Sequence, residues 1–145
     1  MITMRVAITS SALASRKADA WVLFLFDGQT PAMKSKDAVS RRLSRMIHGW
    51  IKDTGFRGKA NEISVFPSWE CLPAKFVILA GLGRRSDFHI GRLERAAAAA
   101  ARTARKLKLS SLASPVAGGG ASLPCPAGNA VGALVRGIHY GRYEF

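Results

Sequence analysis

The chain has 145 residues, of which 48% are hydrophobic and 21% are charged. These values are typical of one globular domain, and no apolar run reaches the roughly 18 residues that a membrane-spanning helix needs. The net charge of +13 attracts polyanions at long range but says nothing about the fold. Because the N-terminus has no basic start followed by a long apolar stretch, we expect a cytoplasmic protein without a membrane partner.

The first third of the chain predicts two strands and a helix. Residues 4–9 and 20–26 have strand patterns, and the second is apolar throughout, which is typical of a central strand buried on both faces. Over residues 37–53 the apolar side chains recur at spacings of three and four, which predicts an amphipathic helix. Arg41 and Arg45 fall on the polar face of this helix.

The middle of the chain predicts two further strands and the longest helix. Residues 62–66 alternate as a half-buried strand should, and residues 76–80 form another wholly apolar strand. The helix over residues 87–108 has one apolar stripe and one basic face. The basic residues of this helix and of the turn before it include Arg84, Arg85, Arg92, Arg95, Arg102, Arg105 and Lys106.

The last part of the chain continues the alternation of strand and helix. A short strand is predicted near residues 111–116. A helix over residues 127–141 has to depend on packing, because each of its glycines costs about 1 kcal/mol relative to alanine. Apolar strands that alternate with amphipathic helices predict a single α/β domain over residues 1–145. In such a domain, helices flank both faces of a mixed, mostly parallel sheet.

Two glycines after the second apolar strand form a candidate ligand turn. Gly81 and Gly83 lie at the carboxyl end of a buried strand, ahead of a helix, where main-chain N–H groups can approach a phosphate. Arg84 and Arg85 would add positive charge. The dinucleotide fingerprint needs a further glycine, but position 86 is serine. A tight strand-to-helix turn is therefore the favoured interpretation.

Residue types that catalyse hydrolysis or bind metals are sparse. The nine acidic residues are spread thinly, and His48, His89 and His139 fall on separate elements without the spacing of metal ligands. Cys71 and Cys125 lie beside prolines with no neighbouring base, which favours free structural thiols. The residues therefore predict no catalytic residue, no metal and no other cofactor.

Four segments in a fixed order carry a family resemblance. Residues 56–62 (FRGKANE) have the pattern F-x-G-K-x-x-E, and residues 76–85 combine an apolar strand, G-L-G and two arginines. Residues 92–102 form an alanine-rich helix, and residues 133–145 follow the pattern of a closing helix. Together, over nearly the whole chain, they resemble the N-terminal domain of the M17 cytosol (leucyl) aminopeptidase family.

This resemblance implies a macro-domain-like fold and a non-catalytic role. In the family the two-metal peptidase domain begins after the closing helix, and this sequence stops at Phe145. We therefore expect that the chain hydrolyses nothing by itself and that a peptidase domain is absent. The expected role is an interaction or regulatory module that packs against another copy of itself or against a peptidase domain.

Two other functions stay open at this point. The basic faces of the two helices would bind nucleic acid without sequence preference if both faced the same side of the molecule. Alternatively, the chain would bind a nucleotide or ADP-ribose near Gly81 and Gly83, an analogy that rests on fold alone. The favoured interpretation of the charge itself is a solvated surface.

Overall fold

The computed structural model describes residues 17–29, 38–115 and 124–141. Within these ranges the strands are β1 (Ala18–Leu25), β2 (Ile63–Pro67), β3 (Ala74–Gly81) and β4 (Leu112–Ala113). The α-helices are α1 (Ala38–Thr54), α2 (Ile90–Lys106) and α3 (Ala127–Gly141). The strand predicted at residues 4–9 lies outside the described residues. None of the described helices is both long enough and apolar enough to cross a membrane.

The strands form one mixed sheet in the order β2-β3-β1-β4. β1 pairs in parallel with β3 and with β4, whereas β2 runs antiparallel to β3. The apolar runs of residues 20–25 in β1 and 76–81 in β3 are explained by the central positions of these strands, because both faces of each strand are covered. The predicted mixed, mostly parallel sheet is confirmed, although β4 is shorter than the strand predicted there.

Alternate side chains of β1 enter two separate cores. Trp21, Leu23 and Leu25 pack with Leu43 and Ile47 of α1 on one face of the sheet. The intervening side chains of β1 pack on the other face with side chains of α2 and α3. Because successive strand residues point to opposite faces, the single apolar run of β1 supplies both cores. Helices therefore flank both faces, as predicted, and α1 lies across the sheet from α2 and α3.

The glycines of α3 are explained by its contact with α2. A Cβ on Gly137 would overlap the carbonyl oxygen of Glu94, and a Cβ on Gly141 would overlap that of Ala98. Ala130 and Ala133 of α3 are also buried, at 1% and 0% exposure. Small residues on this side let the two helix backbones approach closely, which confirms that α3 depends on packing rather than on helix propensity.

Candidate functional site

The carboxyl ends of β1 and β3 are covered by residues 56–62, which we name the 56–62 turn. Ligands of open α/β sheets bind at such an edge. Phe56 anchors the turn in the core on the α1 side. A Cβ on Gly58 would fall 2.6 Å from the carbonyl oxygen of Phe26, and a Cβ on Gly81 would fall 2.6 Å from the carbonyl carbon of Gly58. The turn thus lies directly on the strand ends, and no ligand fits between them.

The main-chain N–H groups of the predicted ligand turn are bonded within the chain. Gly81 donates to the carbonyl oxygen of Glu62 at 2.8 Å, and Gly83 donates to that of Gly58 at 2.9 Å. Leu82 donates to the carbonyl oxygen of Leu25 at 2.9 Å. A phosphate cradle uses N–H groups that are free to point at the ligand. These three instead tie the strand end to its neighbours, as a tight turn requires.

The side chain of Glu62 occupies an anion-binding concavity in the turn. Its Oε1 accepts hydrogen bonds from the N–H groups of Arg57 at 3.0 Å, Gly58 at 3.0 Å and Lys59 at 3.2 Å. Successive N–H groups that converge on one point form a nest for an anion. Here the chain supplies that anion itself. The spacing of glycine and glutamate in F-x-G-K-x-x-E therefore has a structural cause that the sequence pattern alone does not reveal.

Two basic side chains at this edge have partners in the chain. The guanidinium of Arg57 lies 3.7 Å from the carboxylate of Asp27. The guanidinium of Arg85 lies over the ring of Phe26, 5.0 Å from its centroid. Arg85 was predicted as a candidate contact and Arg57 was not, because the approach of Arg57 to Asp27 depends on tertiary packing.

The basic residues predicted on the two helices lie on opposite sides of the sheet. Arg41 and Arg45 are exposed on α1. On the α2 side, five predicted residues are exposed: Arg84, Arg85, Arg95, Arg102 and Lys106. The other two, Arg92 and Arg105, are half-buried. Since α1 and α2 cover opposite faces, their outer surfaces point away from each other. The structure therefore does not join the two clusters into one basic track.

A groove of about 580 Å³ borders α2, the end of α3 and the 56–62 turn. Its lining combines small residues of α2, two arginines of α2, one acidic residue, and residues from the turn and from α3. These residues are Gly91, Ala98, Ala99, Arg95, Arg102, Glu94, Asn61 and Tyr140. Only Arg95 and Arg102 were predicted as site residues. Asn61 and Tyr140 were missed because their position beside α2 depends on tertiary packing.

The groove carries uncompensated positive charge. Glu94 is paired with Arg136, whose Nε lies 3.3 Å from Oε2 of the carboxylate. Arg95 and Arg102 are exposed, and neither forms a hydrogen bond or an ion pair within the described part of the chain. Tyr140 is 61% exposed. The groove therefore presents two guanidinium groups and an aromatic ring to solvent.

Asp19 shows a clear pKa shift, but it lies at the amino end of β1, the opposite end from the 56–62 turn. The N–H and the hydroxyl of Ser110 both donate to Oδ2 of Asp19 at 2.8 Å, and these bonds lower the pKa of the carboxyl below its usual range. Lys75, 3.8 Å away, acts in the same direction. The hydrogen bonds from Ser110 stabilise the charged form and link β1 to the segment before β4.

Side chains that commonly bind metal ions do not converge in the described ranges. No three His, Cys, Asp or Glu residues there come close enough to hold an ion. Cys71 and Cys125 are free thiols, the first exposed and the second half-buried.

Sequence comparison finds relatives for nearly the whole chain. The profile of the "cytosol aminopeptidase family, N-terminal domain" matches residues 22–145. A probable cytosol aminopeptidase from Gloeothece citriformis is 30% identical over 139 residues, which cover 93% of this chain and 27% of that protein. The chain therefore spans about a quarter of the length of this relative.

Structure comparison finds the same architecture in two groups of proteins. A tomato leucine aminopeptidase variant matches with a TM-score of 0.71 and 18% identity, over 94% of this chain and 27% of its own. The macrodomain of Mycobacterium tuberculosis DarG matches with a TM-score of 0.66 and 16% identity, over 90% of this chain and 88% of its own. At such identities the likeness shows the fold alone, and it confirms the predicted macro-domain-like architecture.

Proposed function

Since this chain belongs to the cytosol aminopeptidase family, whose N-terminal domain it matches over residues 22–145, we propose that it acts as a non-catalytic interaction module. The observation that carries this proposal is the 56–62 turn, which covers the carboxyl ends of β1 and β3. There Glu62 fills the amide nest of residues 57–59. A nucleotide-binding or catalytic domain of this architecture needs that edge open. Within the described ranges, the outer faces of the helices remain accessible for recognition.

The partner in this proposal is another copy of the chain or a peptidase domain. The relative from Gloeothece citriformis is matched over only 27% of its length, so its copy of this domain is joined to a much larger remainder. Interfaces between domains of one chain resemble transient protein–protein interfaces and bury about 600–1,500 Å². This supports a role in assembly or regulation rather than in chemistry.

Two rival functions have weaker support. Nucleic-acid binding by both helices needs Arg41 and Arg45 on the same side as the basic residues of α2, whereas they lie across the sheet from them. Binding of ADP-ribose at Gly81 and Gly83 needs N–H groups that already donate within the chain. The structural likeness to a macrodomain does not support binding of ADP-ribose by itself, because fold does not imply function.

Association is tested by light scattering during size-exclusion chromatography. The purified chain is measured alone over a range of concentrations, and then after mixing with the full-length Gloeothece citriformis relative. We expect either a dimer of the chain or a complex with the aminopeptidase. A monomer at every concentration that also forms no complex would contradict the interaction role.

The absence of catalysis is tested by peptidase assays on the pure chain. With a leucine anilide substrate and added Mn²⁺ or Zn²⁺, we expect no turnover. Turnover that stays with the chain through further purification would overturn the non-catalytic part of the proposal. Thermal shift with ADP-ribose and a salt titration with duplex DNA test the two rivals, and we expect no stabilisation by ADP-ribose and no tight DNA binding at physiological salt.

A further inference from the structure

We propose that the groove beside α2 is a docking site for an acidic α-helix of a protein partner. The inference rests on the proposed interaction function and names the surface and the chemistry of the partner. Three observations carry it: the spacing of the groove residues on α2, the balance of charge in the groove, and the residues that face α2 across it.

The α2 residues of the groove lie on one stripe of the helix. Gly91, Arg95, Ala99 and Arg102 follow at spacings of four, four and three, which places them on one face. Gly91 and Ala99 extend no further than a Cβ. At Gly91 the imidazole of His89 already lies 3.0 Å from where a Cβ would stand. A partner helix can therefore approach the backbone of α2 closely at Ala99, in the way that α3 already does on the neighbouring side.

The positive charge of this stripe favours a partner that carries carboxylates. Arg95 and Arg102 are seven residues apart, which is about 10.5 Å along a helix. Two carboxylates seven residues apart on a helix that lies alongside α2 have the same separation. Guanidinium groups bind carboxylates through two parallel hydrogen bonds. The acidic residue of the groove, Glu94, does not compete, because it is already paired with Arg136.

The residues opposite α2 favour a helix over a strand of nucleic acid. Among the described lining residues, those outside α2 are Asn61 and Tyr140, and neither is a cation. A phosphate backbone is held mainly by basic side chains along its course. An exposed tyrosine next to two arginines is instead typical of the anchoring residues in protein interfaces. Its ring offers apolar area to the body of the partner helix, and its hydroxyl stays accessible.

The test is an NMR titration of the full ¹⁵N-labelled chain with a designed probe. The probe is an alanine-rich helical peptide, acetylated and amidated, with two glutamates seven residues apart. The matched control peptide has glutamine at both positions. We expect shifts of the amide resonances of residues 91–102 and of Tyr140 with the glutamate peptide. With the glutamine peptide these shifts are expected to be several-fold weaker.

Variants of the chain separate the charge from the shape of the groove. Each of Arg95→Gln and Arg102→Gln should raise the Kd about fivefold, the upper range for an exposed ion pair. Ala99→Leu keeps the charge but fills the groove, and it should raise the Kd by a similar factor. Arg45→Gln, which removes a charge from α1 on the other side of the sheet, is the control and should leave the Kd unchanged.

Several results would overturn the docking site. These are no binding at millimolar peptide, binding that the groove variants do not weaken, or shifts that map to α1. If a single-stranded oligothymidylate shifts the groove resonances and the acidic peptide does not, the groove binds nucleic acid and not an acidic helix. The docking site can fail while the interaction role holds. If every groove variant still forms a complex with the aminopeptidase, only the groove is refuted as the binding surface.

Discussion

The carboxyl edge of the sheet and the groove beside α2 differ in how far the chain satisfies its own polar groups. At the edge, Glu62 accepts three main-chain hydrogen bonds, and the N–H groups of Gly81 and Gly83 donate within the chain. In the groove, Arg95 and Arg102 have no partner among the described residues. The edge therefore contributes to stability, whereas the groove is available for binding.

The edge where ligands of open α/β sheets usually bind is therefore not the place where this chain leaves charged groups without partners. Both regions contain glycine and arginine, the residue types that suggested an anion site in the sequence. They differ in whether main chain from elsewhere in the fold reaches those residues. Variants in the edge should therefore change stability, and variants in the groove should change binding.

The largest expected effect is from a side chain at the closed edge. Gly81→Ala places a Cβ against the main chain of Lys59 and Gly58, which cannot yield as a flexible side chain would. We expect a loss of about 3 kcal/mol in the free energy of unfolding, as for severe overpacking. Urea denaturation measures this value, and an unchanged midpoint would show that the turn does not press on the strand end.

A glycine in open space provides the control for that variant. Gly49 lies within α1, and a Cβ there would meet nothing within 4 Å. Gly49→Ala should therefore raise stability by about 0.5–1 kcal/mol, because alanine is the better helix former.

Removing the carboxylate from the nest should have the next largest effect. Glu62→Ala leaves the N–H groups of residues 57–59 without their acceptor, and we expect a loss of about 2 kcal/mol. Sulfate should restore part of this loss, beyond its effect on the unaltered chain, because it can enter the empty nest. A variant that is fully stable without sulfate would refute the importance of the nest.

The same substitution at the groove should have little effect on stability. Glu94→Ala removes one exposed ion pair with Arg136, and we expect a loss below about 1 kcal/mol. Equal losses at Glu62 and Glu94 would remove the distinction between the two regions.

Asp19, which lies outside both regions, should contribute to the acid sensitivity of the fold. Its pKa is lowered by the hydrogen bonds from Ser110, so the carboxylate stabilises the fold above the unfolded pKa of about 3.9. This stabilisation is lost as the pH falls through the lower, folded pKa. Asp19→Asn should therefore reduce stability at pH 7 and flatten its decline below about pH 4. Parallel pH profiles for the variant and the unaltered chain would contradict this assignment.

The smallest expected effect on stability is from the groove arginines. Arg95→Gln and Arg102→Gln remove exposed charges that form no hydrogen bond or ion pair with a described residue, so each should change the free energy of unfolding by less than about 0.5 kcal/mol. Urea denaturation checks this. A large loss would show that the arginines support the fold and would weaken their use as binding probes.

Much of the architecture could be predicted from local patterns in the sequence. The unbroken apolar runs of residues 20–26 and 76–80 predicted strands covered on both faces, and β1 and β3 are the centre of the sheet. The glycines of residues 127–141 predicted a helix held by packing, and two of them lie on the backbone of α2. Four weak motifs in order were sufficient to predict the family and, with it, the macro-domain-like fold.

Only part of the candidate site could be predicted from the sequence, for a physical reason. Periodicity determines which face of a helix or strand is apolar, because that depends on residues a few positions apart. It does not determine which segments meet across the fold. The contacts of Gly58 with Phe26, the placement of Tyr140 and Asn61 beside α2, and the separation of the two basic clusters all depend on tertiary packing. The sequence determined where the charges are along the chain, and only the tertiary structure decided which of them are left without a partner.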